Sequence, residues 1–136
     1  MWIQVGDVEV NGLPPDLRGQ TCEAFLCEQY WCDGALEAPA NVSYLRFDGR
    51  WHRLYFDCGI VFWREHEGTP ESWTVPNEGW DYPVVDVGVE AEVVGFHLAE
   101  YRMEPTPGGS RVVFAFENGR NVVLENDADR TGYAIT

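Results

Sequence analysis

Residues 42–65 read VSYLRFDGRWHRLYFDCGIVFWRE, three runs of aromatic and β-branched residues parted by Asp48-Gly49 and by Asp57-Cys58-Gly59. Tight hairpin turns need positive φ at defined positions. Gly supplies it without strain and Asn or Asp tolerates it. The stretch therefore predicts a three-stranded antiparallel meander. A two-residue Asp48-Gly49 loop sets Phe47 opposite Arg50, Arg46 opposite Trp51 and Leu45 opposite His52. The second turn allows two registers. A two-residue Cys58-Gly59 loop would set Arg53 opposite Arg64, a destabilising like-charge pair. A three-residue Asp57-Cys58-Gly59 loop faces Arg53 with Trp63 and Leu54 with Phe62, and this register is preferred. It makes Leu45, Phe47, Leu54, Phe56, Ile60 and Phe62 a core face. The other face then carries Val42, Tyr44, Arg46, Trp51, Arg53, Tyr55, Val61, Trp63 and Glu65.

A third hairpin signal, Asn118-Gly119, is read as a two-residue loop with Ala115 opposite Val122. Residues 1–12 suggest a short strand pair around Gly6-Asp7. Thr131 to Ile135 reads as a last strand. Residues 21–32 fit two elements. As a helix, Thr21 caps the start and Cys22, Leu26 and Tyr30 share one side. As a strand, Cys22, Ala24, Leu26, Tyr30 and Cys32 share one face. The helix is preferred, with 35–41 as a connector. Residues 66–83 carry Pro70, Pro76 and Pro83 and show no period, so they read as a long loop. Val85, Val87, Val89, Ala91 and Val93 alternate with polar residues as in a half-exposed strand. Residues 96–103 continue as a strand, and 105–110 as a loop. The expected fold is all-β with at most one short helix. It is one domain spanning 1–136, an antiparallel sandwich or curled half-barrel built from hairpins and meanders.

Composition excludes several chemistries. All nine basic residues are arginines, so no lysine exists for a Schiff base or a phosphate loop. The three serines lack a nucleophile-elbow setting. No Gly-x-Gly-x-x-Gly, His-Glu-x-x-His or Cys-x-x-Cys motif occurs, and no cofactor is implied. Cys22, Cys27 and Cys32 recur every five residues, which converges three thiols on one ion neither on a helix nor on a strand. They and Cys58 read as free, buried thiols and no metal is expected. Glu125, Asp127 and Asp129 lack the glycine and the terminal glutamate of a calcium loop and read as a turn. The start lacks a basic, apolar leader and no run is long enough to span a membrane, which suggests a cytoplasmic protein.

Net charge is −14, with ten carboxylates against the single Arg102 in residues 65–104. Such a field repels nucleic acid and anionic membranes and favours a cationic partner. Trp73 and Trp80, set among Glu67, Glu71, Glu78 and Asp81, have the makeup of a protein-docking hot spot. The first functional expectation is thus a binding module that receives a basic protein, like a small acidic inhibitor in composition alone. An alternative is a small hydrolase or lyase using His52, Glu65 and His66 as acid–base groups, though a non-enzyme is the preferred reading. A third is a small-ligand binder on the Arg46, Trp51, Arg53, Tyr55, Trp63 face.

Overall fold

The computed structural model describes all residues 1–136. It is all-β, with thirteen strands in two facing sheets and one single-turn α-helix. The larger sheet contains β1 (Trp2–Val5), β2 (Val8–Asn11), β3 (Cys22–Cys32), β4 (Ala35–Phe47), β5 (Arg50–Asp57), β6 (Ile60–His66), β7 (Trp73–Val75), β8 (Trp80–Tyr82) and β9 (Val84–Asp86). Its order is β1-β2-β6-β5-β4-β3-β8-β7, with β9 also paired to β3. Every pairing is antiparallel except β2 with β6. The second sheet is the antiparallel meander β10 (Leu98–Thr106), β11 (Gly109–Phe116), β12 (Asn121–Asp127) and β13 (Arg130–Ile135).

The first meander turn forms as expected, with Asp48 and Gly49 both at positive φ and Phe47 opposite Arg50. The second departs by one residue. Cys58 and Gly59 form a two-residue turn at φ 51° and 77°, so Arg53 does face Arg64 and Leu54 faces Trp63. A one-residue slip turns every side chain of a strand to the other face. Val61 and Trp63 therefore enter the core, and Ile60 and Phe62 point outward. The arginine pair is tolerated because each cation has its own ring: Arg53 lies over Tyr55 and Arg64 over Phe62, both at 5.6 Å. The two rings stack at 4.9 Å, and Arg64 donates to the backbone oxygens of Asn11 and Trp63 and to the Asn11 side chain. Gly12 permits this approach of β2 to β6. Its φ is +95°, and a Cβ there would lie 2.1 Å from the Trp63 carbonyl oxygen.

The third turn errs in the opposite sense. Ala115 faces Asn121 and Phe114 faces Val122, leaving Glu117, Asn118 and Gly119 as a three-residue loop with Gly119 in the left-handed slot at φ 86°. Residues 21–32 are a strand rather than a helix. Bulges near Ala24 and Tyr30 break its alternation and produce the pattern that also fits a helix. Asp33-Gly34, both at positive φ, turns it directly into β4, so 35–41 is strand and not connector. The valine alternation of 85–93 is not one strand. Asp86 ends β9 and accepts the Val89 N–H at 3.1 Å, starting the single turn α1 (Val87–Glu90), with Val87 and Ala91 buried one turn apart. The 66–83 stretch is not simply a loop, since it contains the β7–β8 hairpin around a 3₁₀ turn at Pro76–Glu78. The strands β10 and β11 extend into 105–110 and leave only Pro107-Gly108 between them.

The core lies between the sheets. Phe25 meets Phe114 at 5.2 Å, Phe47 meets Phe116 at 6.5 Å and Trp63 meets Tyr101 at 5.3 Å, all across the interlayer. Leu45, Leu54, Val61, Val112 and Leu124 complete one continuous apolar cluster. The four-stranded sheet thus covers only the inner face of the large one.

Candidate functional site

Strand alternation and the observed register assign the large sheet's outer face. It carries Glu28 on β3, Tyr44 and Arg46 on β4, Trp51, Arg53 and Tyr55 on β5, and Phe62, Arg64 and His66 on β6. At its far end the β7–β8 hairpin extends the same face with Trp73, Trp80 and Tyr82. Four of the expected ligand-face residues, Arg46, Trp51, Arg53 and Tyr55, are therefore together. Trp63 is not among them. It is 2 % exposed, turned into the core by the register of β6.

The hairpin tryptophans stay accessible, Trp73 at 47 % and Trp80 at 36 %. Trp73 stacks on Tyr82 at 4.0 Å, and Tyr82 stacks on Tyr30 at 5.3 Å. The Trp73 Nε1–H donates to Glu28 Oε1 at 2.9 Å, fastening the hairpin to the adjoining strand β3. Of the expected acidic residues, Glu67 and Glu71 precede the hairpin, Glu78 sits at its tip, and Asp81 is opposite Trp31 and Thr74 on the reverse face. Asp81 is thus separated from the indoles by the sheet, because adjacent strand residues point to opposite sides. No carboxylate from Glu65 to Glu90 has a cationic nitrogen within 4.0 Å. All seven ion pairs lie elsewhere, six of them in the second sheet and its flanks.

Glu28 retains only 7 % exposure. Burial raises its carboxyl above the usual range, against the Trp73 hydrogen bond and the nearby Arg53 charge, which both lower it. A raised carboxyl stabilises the fold only while protonated. That contribution is whole below the unfolded value and is lost as pH rises through the folded one. Glu28→Gln keeps an oxygen for the Trp73 N–H and removes the charge. It should raise Tm at pH 7 relative to wild type, with the gap closing below about pH 4, where the unfolded carboxyl is itself protonated. Thermal melts across that range check it, and a gap independent of pH would contradict it.

The acid–base candidates separate. His52 and Glu65 face each other across β5 and β6, as two hollows of about 760 and 480 Å³ meet at Arg50, His52 and Glu65. Burial lowers the imidazole of His52, with Glu65 opposing and Arg50 assisting. His66 is one residue along the strand from Glu65 and points to the outer face, where its ring meets Tyr44 at 4.8 Å. The three expected catalytic residues do not converge on one point. Cys22 and Cys27 are buried, their thiols pushed up to about 12 by desolvation, but Cys32 is half-buried and Cys58 exposed. Cys58 sits with Asp57 and Asp129, one ligand atom of each lying within 4.8 Å of the others. That cluster joins two turns 71 residues apart in sequence, bridged by the Cys58 N–H to Asp129, and no spacing rule reveals it. No family model matches this chain, and neither does any curated protein or solved structure.

Proposed function

We propose that this protein is a binding module that docks a basic protein partner on the β7–β8 end of the outer sheet face. The observation that supports it is the pairing of accessible indoles with carboxylates that have no counter-ion. Trp73 and Trp80 expose apolar ring surface on the hairpin that Glu71 precedes and whose tip carries Glu78, while Glu67 lies apart, lining the hollow with Arg50, Trp51 and His52. Clustered like charge is unfavourable in isolation, and a cationic surface relieves it while the indoles supply desolvated contact area. Arginine side chains suit such a site, since they pair with carboxylates and stack on aromatic rings.

Titration with an arginine-rich peptide, read by tryptophan fluorescence, tests the proposal. Affinity should fall about tenfold or more between low salt and about 0.5 M salt. It should also collapse in Glu71→Lys/Glu78→Lys. A control with the same net charge, Asp7→Lys/Glu9→Lys, changes exposed carboxylates elsewhere and should bind nearly as wild type. Equal loss in both double variants would reduce the interaction to bulk charge and overturn the assigned site.

A further inference from the structure

The centre of the outer face is chemically unlike its acidic end. Arg53 makes no hydrogen bond and no ion pair, and its Nε is buried without a partner. Glu28, two strands away, spends one oxygen on Trp73 and is farther than 4.0 Å from any cation. Tyr44 and His66 sit on strands flanking β5, yet their rings touch. They lean over that strand beside Arg53, and neither tip has a hydrogen-bond partner. Arg53 Nε is the desolvated member of this group, and a polar atom buried without a partner is costly, so a ligand that pairs with Arg53 and the free groups around it completes the set.

The local charges decide the ligand class. Arg46, Arg53 and Arg64 discourage a cation here, whereas buried Glu28 and the charge of −14 discourage an anion. A neutral molecule with both donors and acceptors and a flat apolar side meets all these terms. Glu28 and Arg53 stand on strands roughly 10 Å apart at the backbone, a span that one sugar ring with a hydrogen bond at each end can cross. Trp73, 47 % exposed with its Nε1–H on Glu28, is the accessible ring beside that carboxylate and offers apolar surface to the C–H side of such a sugar.

We infer that this protein holds a saccharide subsite at the centre of its outer sheet face, where Glu28 accepts from, and Arg53 donates to, hydroxyls of a neutral sugar stacked on Trp73. The inference does not rest on the docking of a basic partner. The full-length protein is to be applied to an immobilised panel of neutral, sulphated and sialylated oligosaccharides. Retention on at least one neutral oligosaccharide is expected, undiminished at about 0.5 M salt. Arg53→Met should weaken it about tenfold or more, as should Glu28→Gln. The Glu71→Lys/Glu78→Lys variant should bind the sugar as wild type does, which separates this site from peptide docking. Should one variant fail to fold, as circular dichroism would show, the other decides. No retention of any neutral oligosaccharide, retention of anionic ones only, or retention indifferent to both substitutions would overturn the assignment.

Discussion

Trp63→Ala should destabilise the protein by about 4 kcal/mol, as expected for emptying the space of a fully buried aromatic side chain, while Phe62→Ala should cost about 1 kcal/mol or less. The contrast follows from register alone. Trp63 is 2 % exposed and meets Tyr101 of the second sheet at 5.3 Å. Phe62 is half-buried on the outer face, against Tyr55 and the Arg64 guanidinium. A three-residue turn at 57–59 would exchange the two faces and reverse the ranking. Denaturant melts of both variants measure it. A large loss in Phe62→Ala with a small one in Trp63→Ala would restore the other register.

Trp73→Ala should weaken binding of the arginine-rich peptide about 30-fold or more, corresponding to roughly 2 kcal/mol, the scale of an interfacial tryptophan hot spot. Two losses combine. The exposed indole surface disappears, and Glu28 loses its sole hydrogen-bond donor, which loosens the hairpin from β3. Trp73→Phe separates them, since a phenyl ring keeps the Tyr82 stack and cannot donate. Its affinity should fall between wild type and Trp73→Ala. Equal affinity in all three proteins would remove Trp73 from the interface.

The legible part of the fold was local. Asp48-Gly49 announces its turn because both residues must tolerate positive φ, and the strands on either side have unambiguous alternation. The neighbouring turn is misleading because the Arg53–Arg64 pair, taken alone, is unfavourable. Its tolerance depends on Tyr55 and Phe62, the next facing pair, which are seen only once the register is known. Bulges disguised β3 as a helix, and a run of valines disguised α1 as a strand. Trp73, Trp80, Arg53 and Tyr55 could each be singled out as candidate binders. Their union on one face depends on β8 pairing with β3, a contact between residues about fifty positions apart that no periodicity encodes. Glu28 is hidden in the sequence for a related reason. A lone glutamate inside an apolar run gives no sign that a tryptophan 45 residues later donates to it.

Amide chemical-shift mapping with the arginine-rich peptide tests most directly whether the open face of the large sheet is where this protein binds. Shifts should concentrate in residues 71–82 and in the adjoining half of β3, leaving β10 to β13 unmoved. Shifts centred on β10 to β13, or spread evenly over both sheets, would contradict it.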